Sequence, residues 1–386
     1  MKIEAVRSLL RAHGAKRCHE DHLLRRWTEA LPWLDGRSLR AKDLPDRVRA
    51  VLPDLAASLA GLAQLHTEHP GDDGASRLLL RLADGMTVES VLLPRDGLCV
   101  STQVGCAVGC LFCMTGRDGL LRQLGSAEIV AQVVLARALL RARTATSATG
   151  AAASPATTPP PFRPVHKVVF MGMGEPAHNL DNVMEAIELL GTAGGIGHKN
   201  LVFSTVGDRR VFERLAQGPV KPALALSLHS TRAALREQLL PRAPRIAPAE
   251  LVALGERYAR ATGYPVQYQW TLLKGVNDGD DELEGIVALL AGKYAVLNMI
   301  PYNAVPGLEF ERPQPEQAAS IARRLHQRGV LTKLRHSAGQ DVDGGCGQLR
   351  ARTVPAAAGT APIRPPAWER IQVSAGMPRN DASISG

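Results

Sequence analysis

The chain of 386 residues carries 46 Lys and Arg against 37 Asp and Glu, a net charge of +9. A hydrophobic share of 45% supplies a sizeable core and excludes a mostly disordered chain. No apolar run approaches the roughly 20 residues that cross a bilayer, and the N-terminus is too charged for a signal peptide, so a soluble cytoplasmic protein is expected.

Residues 1–70 read as helical. Leu23, Trp27 and Leu31 recur at one-turn spacing, as do Val48, Val51, Leu52 and Leu55. Trp27 and Trp33 read as core. Over 77–93 the period changes, and Asp84-Gly85 between two apolar runs predicts a β-hairpin. Glu89 lies in its second strand and on its own reads as a solvent-facing carboxylate.

From residue 98 strands and helices alternate. Strand-like runs fall at 98–103, 168–172, 201–205, 223–228, 266–272 and 296–300. Helical runs fall near 126–142, 180–191, 208–217, 248–262 and 279–292. A further helix near 314–328 leads to a strand-like run at 331–335. Repeated βα units predict a parallel sheet. Six units are too few for a closed eight-stranded barrel. An open partial barrel fits the count, and periodicity alone leaves a doubly wound sheet open. The Ala/Thr/Ser/Pro-rich stretch 143–161 reads as a mobile insertion, and the tail after Arg352 as a loosely ordered extension.

The six cysteines are Cys18, Cys99, Cys106, Cys110, Cys113 and Cys346. In a reducing compartment they are not a disulfide framework. Cys106, Cys110 and Cys113 form C-x3-C-x2-C, a spacing that lets three thiolates converge. A structural zinc site wants a fourth Cys or His at short spacing, and none follows nearby. A four-iron cubane normally takes four cysteines. Three leave one iron open for a substrate. Cys18 reads as inert packing.

Polar residues gather at strand ends downstream. Gly172-Met173-Gly174-Glu175-Pro176 is a Gly-rich turn whose carboxylate can accept from an ammonium group. Ser204, then Ser227 and His229, then Asn303 end or follow further strands. Such a series is what a barrel-type ligand site requires. The +9 charge alone is a weak pointer to nucleic acid. Aromatics, at 4%, argue against a sheet of base-stacking rings.

The three-cysteine run resembles the radical S-adenosylmethionine (SAM) superfamily. With segments 98–112, 168–176, 227–229, 275–278, 301–303 and 341–349 in order, the sequence resembles the RlmN/Cfr family of radical SAM RNA (adenine) methyltransferases. The resemblance spans about 78–350, with a weaker match across the helical N-terminus. Family chains carry a longer loop between the residues matching Glu89 and Cys99.

That resemblance implies an α/β fold, a partial (β/α)6 radical SAM barrel with an N-terminal helical domain and β-hairpin. The implied organisation is a helical RNA-docking domain over 1–75, a linking hairpin over 76–97, the barrel over 98–352 and an extension over 353–386. It implies a [4Fe-4S] cluster on Cys106, Cys110 and Cys113. Gly174, Glu175, Ser204, Ser227, Leu228, His229 and Asn303 match SAM-binding positions. Cys346 matches the cysteine methylated on sulfur, Cys99 its transient disulfide partner, and Glu89 the proton acceptor. The implied reaction is methylation of adenosine C2 in 23S rRNA or tRNA. Methylation at C8, as in the antibiotic-resistance branch, uses the same cysteines. A radical SAM activase or maturase, or a zinc-bearing RNA-binding protein, are the other classes. The implied partners are RNA and an electron donor such as flavodoxin or ferredoxin, with the protein a monomer.

Overall fold

The computed structural model describes residues 1–34, 43–150, 164–303 and 308–335, without the side chains of 146–150. Cys346, the tail and residues 151–161 of the expected insertion lie outside the described residues.

Three helices open the chain: α1 (Ile3–Ala12), α2 (Arg17–Thr28) and α3 (Asp46–Ala60). Trp27 is buried in α2, and Trp33 packs against the same core. The last residues of the stretch read as helical form a strand instead, β1 (Ala63–Pro70). Its side chains are mostly half-buried and polar, so no helical stripe exists to bury. β1 pairs antiparallel with β2 (Ser76–Leu82), which pairs with β3 (Thr87–Leu93), which pairs with β4 (Gly97–Cys99). The Asp84-Gly85 turn is a hairpin: the Leu82 N–H donates to Met86 O at 2.8 Å, and Gly85 has φ +83°.

β4 begins the parallel array. After it come a small antiparallel pair, β5 (Gln103–Gly105) with β6 (Leu120–Gln123), and then α4 (Ser126–Gly150). The alternation continues as β7 (Lys167–Phe170), α5 (Leu180–Gly191), β8 (Leu201–Thr205), α6 (Arg209–Gln217) and β9 (Ala223–Ser227). Next are α7 (Ala233–Leu239), α8 (Pro248–Thr262), β10 (Val266–Leu272), α9 (Asp280–Leu290), β11 (Ala295–Pro301), α10 (Pro315–Gln327) and β12 (Thr332–Leu334). The main sheet runs β1-β2-β3-β4-β7-β8-β9-β10-β11-β12, and every pair from β4 to β12 is parallel. Six βα units and a terminal strand make an open, partial barrel, as expected.

Local chemistry sets these boundaries. Pro248 occupies the first turn of α8, and Gly263 ends it at φ +73°. Asp208 caps α6 by accepting from the Arg210 N–H at 2.9 Å. β8 is buried along its whole length, as a central parallel strand covered on both faces should be. Helix α4 extends through Gly150, so the start of the Ala-rich stretch continues a helix rather than leaving it. Ala is the best helix former, which explains the continuation. Cys18 is exposed on α2, which corrects its reading as a packing residue.

Candidate functional site

The β5–β6 pair holds the base of the cysteine loop. The Cys106 N–H donates to Gly119 O at 2.9 Å. Gly105 has φ +78°, and a Cβ there would lie 2.0 Å from Gly119 O, so this register requires glycine. On its other side the loop leans on the end of α7, where the Leu111 N–H donates to Leu239 O at 3.0 Å.

One cleft of about 250 Å³ brings the expected residues together at the C-terminal strand ends. Cys106, Cys110 and Cys113 share its wall with Gly174, Glu175, Ser204, Ser227 and His229. Leu228 lies between two of these but is turned into the main core. Asn303 does not line the cleft; it follows β11, half-buried, and accepts weakly from Arg312 at 3.4 Å.

Burial pushes the Cys106 thiol up to about 12, and Cys113 and Glu175 add to it. Burial also raises Cys110 and Cys113, and the Cys106 and Cys113 sulfurs oppose a charge on Cys110. Three thiols that resist ionisation together need a cationic centre to become thiolates. Among the described residues no three metal-binding side chains are gathered as a single-ion site. The donor set, all sulfur, suits an iron–sulfur cluster, where each thiolate binds its own iron.

Gly174 sits at φ +104°, and a Cβ there would strike the Gln103 side chain at 2.6 Å. Glu175 follows, buried. Its carboxylate accepts from the N–H groups of Ala177 and Val206, each at 3.0 Å. Burial raises it to about 6 despite these donors and the Thr205 hydroxyl. His229, two residues past the end of β9, sits in the left-handed region at φ +59°. Its Nδ1 accepts from the Thr271 N–H at 3.0 Å, leaving Nε2 as the donor. Burial holds it neutral, with its pKa lowered to about 3. Phe112 of the cysteine loop meets its ring edge-on at 4.8 Å.

Cys99 and Glu89 lie beside this cleft rather than on its wall. Cys99 is buried on β4 and packs with Val91, Val169 and Met171, and Met171 also lines the cleft. Burial pushes its thiol up to about 12. Glu89 is 1% exposed and paired with Arg77 at 2.6 Å, which corrects its reading as a solvent-facing carboxylate. The buried cation on the adjacent strand supplies what water would otherwise have to.

Several working residues escaped the sequence reading. Gln103 accepts from the Glu175 N–H, and Asn277 binds the His229 carbonyl. Arg236, buried on α7, donates to Val206 O and to Ser227 O, tying two strand ends together. Asn277 lies in the recognised Gly275-Val276-Asn277-Asp278 segment, which marked its position without its task.

No protein-family model matches the chain. It is 70% identical over 354 residues to a probable RNA methyltransferase of Aromatoleum aromaticum, covering 92% of this chain and 93% of that protein. A probable RNA methyltransferase of Leptothrix cholodnii is 67% identical over 365 residues, covering 95% of this chain and 99% of its own length. The crystal structure of a radical SAM methyltransferase from Sphaerobacter thermophilus matches with a TM-score of 0.73 at 34% identity, over 90% of this chain and 97% of that one. The fold is thus that of a radical SAM methyltransferase. The chain belongs to the family of probable RNA methyltransferases that the two curated relatives represent.

Proposed function

We propose that this protein is an RNA methyltransferase of the RlmN/Cfr type, acting on C2 of an adenosine in 23S rRNA or tRNA. The observation that carries the reading is one cleft. Its wall holds the three cysteines, the Gly174-Glu175 turn, Ser227 and His229, with Cys99 buried against the neighbouring Met171.

A [4Fe-4S] cluster held by Cys106, Cys110 and Cys113 supplies, when bound, reductive cleavage of SAM to a 5′-deoxyadenosyl radical. Glu175 receives the SAM ammonium, and the Gly174 backbone leaves room for close approach. Ser204, Ser227, His229 and Asn303 complete the SAM contacts, with Leu228 contributing backbone. Cys346 carries the methyl group as S-methylcysteine. Glu89 takes the ring proton. Cys99 forms a transient disulfide with Cys346 and so releases methylated RNA. Two cysteines in bonding reach are what such exchange requires.

The helical N-terminus and the basic balance supply phosphate contacts. The target adenine leaves its stack to reach the cleft. A flavodoxin or ferredoxin supplies electrons to a cytoplasmic monomer. Among the described residues no helix is long and apolar enough to cross a membrane.

The test compares RNA digests from a strain lacking the gene and its parent by chromatography and mass spectrometry. Loss of 2-methyladenosine supports the proposal, and loss of 8-methyladenosine moves the assignment to C8. Both isomers unchanged in rRNA and tRNA would overturn it. Anaerobic purification should give about four irons per chain.

A further inference from the structure

Arg77, Val91, Cys99 and Val169 form one cross-strand row over β2, β3, β4 and β7. Glu89 stands two residues before Val91, so it shares that face and lies diagonal to Cys99. Arg77 Nη2 donates to Glu89 Oε2 at 2.6 Å, with the two side chains 2% and 1% exposed. Among the described residues, the charged groups facing Cys99 are Arg77 from β2 and Glu89 from β3. Cys99 also meets Val169 of β7 and the backbone of Met171 just after that strand. The two charges act oppositely on the Cys99 thiol: Arg77 favours the thiolate, and Glu89 opposes it.

We infer that Arg77 is a positioning residue that orders the end of the reaction: its ion pair holds Glu89 in place to take the ring proton, and its cation, on the same sheet face as Cys99, then lacks the Glu89 counter-charge. The inference rests on the roles proposed above for Glu89 and Cys99. While Glu89 is charged, it cancels much of the Arg77 field at Cys99. Once Glu89 holds the ring proton, one negative charge beside Cys99 is gone, and the Arg77 cation remains. In a buried setting that change is felt strongly.

Taken from the even-electron thioether, which the radical adduct becomes on losing the ring proton to Glu89 and one electron to the oxidised iron–sulfur cluster, the resolving step balances without a further oxidant. The Cys99 thiolate attacks Cys346 Sγ, and the Sγ–CH2 bond breaks with its electron pair going to carbon. That carbon takes up the proton equivalent to the one Cys99 released, and becomes the methyl group. The two sulfurs are oxidised to a disulfide as the carbon is reduced. A nucleophile activated only after proton loss from the ring would not cleave the thioether before the ring has regained its aromatic form.

The first test needs no turnover. Iodoacetamide alkylation of Cys99, read on its own peptide across pH in the full-length reduced protein, gives a midpoint independent of access. Glu89→Gln stands in for the neutral carboxyl and should lower that midpoint, with alkylation about tenfold faster below it. Adding Arg77→Gln should cancel the gain. An unchanged or higher midpoint in folded Glu89→Gln overturns the inference.

The second test follows the covalent RNA–protein adduct on denaturing gels. Arg77→Gln should accumulate adduct near pH 7 and clear it as pH rises. Arg77→Lys keeps the charge and should clear it faster than Arg77→Gln at every pH. If Arg77→Gln does not fold, the Glu89→Gln midpoint and the Arg77→Lys rate still decide. Cys99→Ala is the control for the underlying reading, and its failure to trap adduct rejects that reading instead. Adduct in Cys99→Ala with none in folded Arg77→Gln overturns the inference alone.

Discussion

The Glu175 backbone N–H donates to the Gln103 side-chain oxygen across 2.7 Å. Gln103 Nε2 in turn donates to Gln123 Oε1 at 2.8 Å, and Gln123 Nε2 donates to His178 O at 2.8 Å. An N–H at one end and a carbonyl at the other fix both amide orientations. The Gly-Glu turn is therefore fastened to the pair of strands that carries the cysteine loop. Gln103→Leu leaves the buried Glu175 N–H without its acceptor, a loss of about 1–3 kcal/mol. The expected outcome is a KM for SAM raised about tenfold, with kcat less affected. Calorimetric titration of SAM checks it, and unaltered affinity in folded protein rejects it.

Asn277 does similar work for His229. Its Nδ2 donates to His229 O and to Thr271 O, both at 2.8 Å, and its Oδ1 accepts from the Leu273 N–H. Those bonds hold His229 in a left-handed conformation that costs a non-glycine residue about 1–3 kcal/mol. Asn277→Ala should weaken SAM binding and lower the melting temperature. Asn277→Asp should be worse, because its carboxylate would face two carbonyl oxygens. Thermal melts of the two variants decide the order, and Asp equal to Asn contradicts this account.

Strand ends and the cysteine loop were readable because their signals are local. Alternation marked the strands, and the C-x3-C-x2-C spacing needs only a short loop. The supports were not readable because each joins distant segments. Gln103 and Glu175 are 72 positions apart, and Asn277 and His229 are 48 apart. Glu89 read as solvent-facing because a charge inside a strand usually is. Its burial depends on Arg77, which the β2–β3 register brings alongside. β1 escaped because it is mostly polar, with no apolar residue after Leu65 before Pro70 to mark an alternation.

Glu175 predicts a pH dependence for SAM binding. Its folded carboxyl ionises near pH 6, above the ordinary 4.5, because burial opposes the charge. The folded protein thus holds this proton more tightly than the unfolded chain. The group's stabilising contribution is full below about 4.5 and lost as pH rises through 6. A ligand ammonium needs the opposite state, the anion. The SAM-induced rise in melting temperature should therefore grow between pH 5.5 and 7 and level off above. A shift that stays flat over that range would remove Glu175 as the ammonium acceptor.

Arg137 on α4 joins the N-terminal helices to the barrel. The residue is 5% exposed, and its guanidinium donates to Thr28 O at 2.7 Å, Val165 O at 2.8 Å and Gly194 O at 3.0 Å. Thr28 ends α2, so the cation also meets the negative end of that helix. One turn along α4, Arg141 donates to Glu29 O at 3.1 Å. Burial lowers the Arg137 pKa to about 10, which leaves it charged at neutral pH. Three carbonyls from three separate segments therefore depend on one side chain. Arg137→Met should cost about 3 kcal/mol, since each buried carbonyl loses a charged donor. Arg137→Lys should recover part of that, having three donors but no planar fork. Limited proteolysis should cut Arg137→Met first between the N-terminal helices and the barrel. A melting temperature equal to wild type in Arg137→Met would show that apolar packing holds the two together without it.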